Sequence, residues 1–154
     1  MNRRLFLIPS ATMLTSLALS DARAQNIGKQ VISSSDAPEA IGPYSQAIRS
    51  GSTVYVSGQI AIDPKTKQLL ANASIEDQTR LVLENLKAVL AADGLTLDSI
   101  VSATVFLTDL ADFAKMNEVY ATYFKKSPPA RATVEVAHLP RSAKVEIAAI
   151  AVHP

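Results

Sequence analysis

Apolar and polar residues alternate along four stretches of the chain, which is the pattern of β-strands with one buried face. The stretches are Thr53–Ser57, Ile100–Leu107, Ala132–Ala137 and Lys144–Val152. In each, one set of positions is apolar and is expected to face a core. These sets are Val54 and Val56; Val101, Ala103, Val105 and Leu107; Ala132, Val134 and Val136; and Val145, Ile147, Ala149 and Ala151.

Two segments have the helical spacing of apolar residues instead. The first begins at Ser74, which is followed by Asp77 as in a capping box, and continues to Ala92 before Gly94. Its buried stripe is predicted to be Val82, Leu86, Val89 and Leu90. The second covers roughly Ala111 to Phe124 and ends before Pro128-Pro129. Its predicted apolar face is Phe113, Met116, Tyr120 and Phe124.

This order of elements predicts a single α+β domain, a two-layer sandwich with one β-sheet and two helices packed on one face. We expect the domain to comprise residues 25–154, beginning with a loose polar segment, Gln25–Asp36, and a turn-rich loop at 37–43. Asp63–Lys67 is predicted to be a turn.

The second face of the predicted sheet mixes polar and apolar residues. On the strand alternation, Ser57, Arg131 and Glu146 would all lie on this face. No predicted helix remains to cover it, so we expect a subunit interface that contains polar pockets.

The first 24 residues are predicted to be a secretory signal rather than part of the fold. Arg3-Arg4 precede an apolar run from Leu5 to Ser20, and Ala22-Arg23-Ala24 supplies a small-residue cleavage site. The sequence R-R-L-F-L favours the twin-arginine route, although an ordinary Sec signal is the alternative. The apolar run is too interrupted for a membrane span. We therefore expect a periplasmic or secreted protein with no membrane attachment once the signal is removed.

The composition limits which partners and which kinds of catalytic or metal site are expected. Residues 25–154 hold 12 basic and 13 acidic side chains, so the overall charge does not favour nucleic acid as a partner. The chain has no cysteine, which excludes disulfides and thiol nucleophiles. Its two histidines, His138 and His153, are too few for a metal cluster, and we expect no metal.

Three polar residues in the predicted strands are candidates for chemistry, each with a structural alternative. Arg131 could bind a carboxylate ligand, or it could simply pair with Glu135 or Glu146. Glu146, in an otherwise apolar strand, is either paired or poised as a general acid or base. Ser57 could bind substrate or could be a strand-end serine in a turn. With no G-x-S-x-G sequence, a Ser-His-Asp hydrolase is not expected.

Four segments of the chain resemble the Rid (YjgF-type) family of enamine/imine deaminases. They are the segment from Ala37-Pro38 to Ile41-Gly42-Pro43-Tyr44-Ser45-Gln46-Ala47, Val56-Ser57-Gly58-Gln59-Ile60, Pro129-Ala130-Arg131 through Ala137, and Val145-Glu146-Ile147. The resemblance extends from about Val31 to the C-terminus. It implies a chorismate-mutase-like subunit that forms a homotrimer with one site in each of three interfaces.

The resemblance also implies roles for individual residues. Arg131 matches the arginine that grips the substrate carboxylate, and Glu146 matches the glutamate that activates water. Tyr44, Ser57 and Asn117 match other pocket residues, while Gly58 allows close approach of the backbone. Thr133 stands where many members have cysteine, and the segment Lys125–Pro129 is short compared with some members.

The implied reaction is hydrolysis of 2-iminoacids, such as 2-iminopropanoate, to 2-ketoacids and ammonia. No cofactor is expected, because an iminium carbon is already electrophilic. A trimer that binds small metabolites, or acts like a chaperone, without catalysis is the alternative, since a fold does not fix a function. A ribonuclease would need a basic surface with interleaved aromatic residues, which the sequence lacks.

Overall fold

A computed structural model describes residues 28–154, which contain six strands and two α-helices. The strands are β1 (Lys29–Ile32), β2 (Ala47–Ser50), β3 (Thr53–Gln59), β4 (Ile100–Leu107), β5 (Ala130–Glu135) and β6 (Val145–Val152). The helices are α1 (Ile75–Ala91) and α2 (Phe113–Tyr123). The predicted signal sequence, residues 1–24, lies outside the described residues.

The strands form one mixed sheet in the order β1-β2-β3-β6-β4-β5. All neighbours pair antiparallel except β4 and β5, which are parallel and are connected through α2. The helices cover one face of this sheet, and the core lies between the two layers. This arrangement confirms the predicted α+β sandwich.

Helix α1 begins and packs as its sequence predicts. The Ser74 hydroxyl caps it by accepting a hydrogen bond from the Asp77 amide at 3.1 Å. All four residues of the predicted stripe are fully buried: Val82, Leu86, Val89 and Leu90. Gly94 follows the helix with a φ of +73°, a conformation that favours glycine.

The predicted face of α2 is correct for three of its four residues. Met116, Tyr120 and Phe124 are buried, whereas Phe113 is 40% exposed. Phe113 is the first residue of the helix, and a 3₁₀ turn at Leu110–Asp112 leads into it. The aromatic ring therefore lies at the rim of the core rather than inside it.

The interpretation of Gln25–Asp36 as a loose segment is wrong for residues 29–32. These residues form the edge strand β1, which pairs with β2, and β2 was not predicted either. Each strand has only four residues, and in β1 only Ile32 is buried. Such short strands present too little alternation to be recognised from sequence.

One apolar position of β4 does not face the helices as predicted. The pairing of β4 with β6 shifts register between Ile100 and Ser102. The shift leaves Val101 50% exposed and buries Ile100 in its place. From Ala103 to Leu107 the predicted alternation is correct.

The predicted orientation of β5 is wrong. Its parallel register aligns Arg131 with Ala103 and Thr133 with Val105. Directly paired residues point to the same face of a sheet, so Arg131 and Thr133 point toward the helices together with those core residues. Ala132 and Val134 lie on the other face and are exposed. Arg131 therefore does not share a face with Ser57 and Glu146.

Candidate active site

A pocket of about 360 Å³ opens between β3, β6 and the loop that precedes β2. Ser57, Gly58 and Glu146 line it, as does Tyr44 from the loop. Its remaining walls are mostly apolar and come from Pro38, Glu39, Ala40, Ile41, Gln46, Gln59, Ile60, Ile62 and Pro140. Four of the residues predicted for the site thus lie around one cavity.

Glu146 is the acidic group of this pocket. It lies on β6, paired with Phe106 of β4, and its side chain is on the sheet face opposite to the helices. No salt bridge of the described residues includes its carboxylate. Burial raises the pKa of Glu146 above its ordinary value, because desolvation disfavours the charged form. A carboxyl group in this state is suited to take up and release a proton.

Gly58 is required beside Glu146 for steric reasons. A Cβ atom at position 58 would lie 2.7 Å from Cδ of Glu146 and closer still to a carboxylate oxygen. No side chain fits in that space unless the carboxylate moves. The close approach at this glycine is that of the Glu146 side chain to its backbone.

Ser57 and Tyr44 make local hydrogen bonds that shape the pocket wall. The Ser57 hydroxyl donates to the Ser45 carbonyl at 2.7 Å. The Tyr44 hydroxyl accepts a hydrogen bond from the Ile41 amide at 3.2 Å, and Tyr44 is about half exposed. Ser57 lies within β3 rather than at a strand end in a turn, and its hydroxyl ties the loop before β2 to the pocket wall.

Gln46 is a pocket residue whose role the sequence analysis did not identify. Its buried side-chain amide donates to the carbonyls of Pro38 and Ser34 at 2.7 and 3.1 Å, and its amide oxygen accepts from the Ser34 amide at 2.6 Å. These bonds fix the loop that carries Tyr44. The indication in the sequence is that Gln46 belongs to the first of the four segments that carry the family resemblance.

Arg131 lies in a second place, against α2. Its Nη2 atom donates to Oδ1 of Asn117 at 2.7 Å. Its Cζ atom lies 4.4 Å from the centroid of the Tyr120 ring and 5.9 Å from that of Phe113. These contacts agree with the strand register, which turns Arg131 toward the helices.

The pairing of Arg131 with Glu135 or Glu146, the structural alternative, does not occur within the subunit. Glu135 accepts a hydrogen bond from the Leu110 amide at 2.8 Å through Oε2. No salt bridge among residues 28–154 includes Arg131. A partly buried guanidinium with no acid beside it is chemically suited to bind an external carboxylate.

Two hydroxyl groups near Arg131 are buried without a hydrogen-bond partner. They belong to Thr133, which follows Arg131 on the same face of β5, and to Tyr120. Burial raises the pKa of Tyr120, and the charge of Arg131 opposes this effect. Unsatisfied buried hydroxyls are rare in folded proteins and require an explanation.

The predicted site residues thus form two groups. Tyr44, Ser57, Gly58 and Glu146 surround the pocket on the open face. Arg131, Asn117 and Thr133 lie at the β5 edge on the helix side. Glu146 pairs with Phe106 and Arg131 with Ala103, three positions apart on β4, so the two side chains leave the sheet on opposite faces.

Within the described part of the chain, no cluster of three or more metal-ligating side chains is present. His138 is exposed, and His153 contacts Asp93 at 2.8 Å. Neither of the two α-helices is long and apolar enough to cross a membrane.

Comparison with known proteins finds relatives that match most of the chain. A RutC family protein of Pyrococcus horikoshii is 54% identical over 123 residues, which cover 80% of this chain and 97% of that protein. The mouse protein named 2-iminobutanoate/2-iminopropanoate deaminase is 47% identical over 127 residues, covering 82% of this chain and 93% of that protein.

Solved structures also match. The crystal structure of Escherichia coli TdcF with bound serine superposes with a TM-score of 0.78 at 47% identity, covering 81% of this chain and 98% of that one. A Rid family protein of Yersinia pestis superposes with a TM-score of 0.79 at 50% identity, covering 82% of this chain and all of that one. The family described as Endoribonuclease L-PSP matches residues 34–153. The chain therefore belongs to this family, the Rid family.

Proposed function

We propose that this protein hydrolyses reactive 2-iminoacids, such as 2-iminopropanoate, to 2-ketoacids and ammonia, in a site formed between the subunits of a homotrimer. The observation that carries the proposal is the separation of two complementary groups. Glu146 lies in a pocket without a basic partner, and Arg131 lies at a strand edge without an acidic partner, on opposite faces of one chain. A second subunit brings one group opposite the other.

In this site, Arg131 of one subunit binds the substrate carboxylate through two parallel N–H···O hydrogen bonds. The fixed carboxylate holds the imine carbon beside Glu146 of the neighbouring subunit. An encounter with water then becomes an oriented reaction, which lowers the entropic part of the barrier.

Glu146 acts first as a base and then as an acid. Its carboxylate accepts a proton from water while the water oxygen bonds to the carbon of the protonated imine and the C=N electron pair moves to nitrogen, which gives a neutral carbinolamine. Glu146 then returns this proton to the nitrogen. The C–N bond breaks and ammonia leaves, while the hydroxyl group gives its proton to the Glu146 carboxylate as the C=O bond forms. The raised pKa of Glu146 brings its proton affinity closer to neutral pH, where both transfers are efficient.

The oligomer is part of the proposal because the open sheet face needs cover. Tyr55, Val134 and Val101 are each 41% to 51% exposed on the described surface. Exposed apolar side chains in such number on one sheet are typical of a buried subunit contact. We also infer that the protein is exported, since residues 1–24 have the layout of a twin-arginine signal.

Two other functions remain to be separated from this one. A binding protein without catalysis would use the same pocket, and the TdcF structure with bound serine supports ligand binding at least in that relative. The family description names an endoribonuclease, but residues 25–154 carry nearly balanced charge. Deaminase activity agrees better with one carboxylate and one arginine that have no partner of opposite charge among the described residues.

The test is to generate 2-iminoacids in situ from several amino acids with an amino-acid oxidase and to follow the loss of imine with and without the protein of residues 25–154. The proposal predicts multiple turnovers per site with formation of ammonia. A protein that only binds would remove at most one equivalent of imine. Absence of both effects, with RNA cleaved instead, would contradict the proposal.

A further inference from the structure

Residues on one face of helix α2 contact the side chain of Arg131. Phe113, Asn117, Tyr120 and Phe124 follow the helical spacing that places side chains on one side of a helix. Three of them contact the guanidinium group: Asn117 by a hydrogen bond, and Tyr120 and Phe113 through their rings.

The Tyr120 ring is itself held in place. Tyr120 is only 4% exposed, and its ring stacks on Phe124 with 4.4 Å between centroids and 27° between planes. Phe124 is buried below it. The Tyr120 ring over which the Arg131 guanidinium lies is therefore held in the core by its stacking on Phe124.

These contacts restrict where the guanidinium can lie. Cation–π attraction to the Tyr120 ring holds Cζ over the ring, 4.4 Å from its centroid. The hydrogen bond from Nη2 to Asn117, at 2.7 Å, fixes a second point of the group. The N–H groups that Asn117 does not engage remain to donate to a ligand.

We infer that Tyr120 is a positioning residue, which presents the fork of Arg131 to the carboxylate of the ligand through the face of its ring. The inference rests on the proposed function, because it takes Arg131 to be the carboxylate-binding group. It assigns no role to the phenol oxygen, which is buried without a hydrogen-bond partner. The ring is the part of Tyr120 that acts.

The experiment compares binding of pyruvate, a 2-ketoacid product, and steady-state turnover of 2-iminopropanoate in Tyr120→Phe and Tyr120→Leu. Tyr120→Phe keeps the ring and should retain most of the affinity. Tyr120→Leu keeps an apolar side chain but loses the flat face, so pyruvate Kd and KM should rise about tenfold with a smaller change in kcat. If Tyr120→Leu does not assemble, Tyr120→Met, whose unbranched side chain has a similar volume and adapts better to its surroundings, replaces it.

Two controls separate positioning from loss of core packing. Val119→Ala removes buried contact from the same helix but leaves the contacts of Arg131 unchanged, so its Kd should equal that of the parent even if its melting temperature falls. In an Arg131→Lys background, Tyr120→Leu should add little to the loss of affinity, because the two residues act through one group.

The outcomes also separate this inference from the proposed function. If Arg131→Lys weakens pyruvate binding but Tyr120→Leu does not, or if the two effects simply add, Tyr120 does not position the arginine. If Arg131→Lys leaves binding and turnover unchanged, the proposed function fails, and the inference fails with it.

Discussion

Gly58 and Glu146 lie so close together that the absence of a side chain on the glycine makes room for the carboxylate. A Cβ at position 58 would lie 2.7 Å from Cδ of Glu146, well inside van der Waals contact. The glycine on β3 thereby decides where the carboxylate on β6 can sit. The positions of both residues in one pocket follow from pairing of these two strands.

Gly58→Ala should displace the Glu146 carboxylate and lower kcat about a hundredfold or more, because general acid–base catalysis depends on its position. Imine turnover and melting temperature measure the effect. The matched control is Gly42→Ala, whose added Cβ would lie 3.4 Å from the Tyr44 ring, an ordinary contact. If Gly58→Ala were as active as both the parent and Gly42→Ala, the space that the glycine leaves for the carboxylate would not matter for catalysis.

The pH profile of kcat/KM should have an acid limb that reflects protonation of Glu146. Because burial raises its pKa, the carboxylate loses its basic form as pH falls through a value above the ordinary 4.5 of a glutamate. The parent kcat/KM should fall along that limb. Glu146→Gln cannot accept a proton, so its residual rate should be low and should lack the limb. An acid limb that persists in this variant would assign the titration to another group.

The free energy of unfolding should also depend on pH, because the pKa of Glu146 is raised in the folded protein. The folded state favours protonated Glu146, so the stabilisation from protonation is fully present below the unfolded-state pKa and is lost as pH rises through the folded pKa. Glu146→Gln does not titrate there. Its melting temperature should exceed that of the parent at neutral pH, and the difference should shrink in acid. Thermal unfolding across the pH range measures it, and a variant that is less stable than the parent at neutral pH would refute the expectation.

Arg131→Lys should keep the charge but lose the planar two-point grip, and kcat/KM should fall about a hundredfold or more. Because no acidic partner of Arg131 exists among the described residues, the melting temperature and the trimer content should stay close to those of the parent. Sedimentation and thermal unfolding check this. Dissociation of the variant would indicate that Arg131 is a structural residue of the interface.

Export should depend on the paired arginines. Replacing Arg3 and Arg4 together with lysine should abolish export in cells where only the twin-arginine machinery is available, since this pathway requires the arginine pair. Fractionation of periplasm and cytoplasm measures it. Unchanged export of the lysine variant would contradict the twin-arginine assignment.

Local sequence rules predicted the parts of the fold that depend on neighbouring residues. The Ser74 cap, the α1 stripe and most of β4 follow from hydrogen bonding and periodicity within one segment. The orientation of β5 does not. An edge strand of alternating small and polar residues, Ala130 to Glu135, is compatible with either orientation, and only its parallel register with β4 decides it.

The same limit applies to the candidate site. Motif resemblance named Arg131, Glu146, Tyr44 and Asn117, but strand alternation placed Arg131 and Glu146 together on one face. The bulge at Val101 and the register of β5 depend on pairing with distant strands, so the local sequence pattern does not predict them. The register of β5 leaves the Arg131 and Glu146 side chains on opposite faces of the sheet.

The most direct test of a site shared between subunits is complementation between Arg131→Lys and Glu146→Gln. The two variants are each nearly inactive on their own and are mixed by co-expression so that trimers of both chains form. If Arg131 and Glu146 of one site come from different subunits, random assembly pairs an intact Arg131 with an intact Glu146 in about a quarter of the interfaces.

The account therefore predicts that mixed trimers recover about a quarter of the parent imine-deaminase activity per site, while each variant alone stays inactive. Trimers that carry both substitutions on one chain, mixed with parent chains, provide the reference for assembly. If mixed trimers form but show no more activity than the sum of the two variants, then both residues act within one subunit, and the shared site is contradicted.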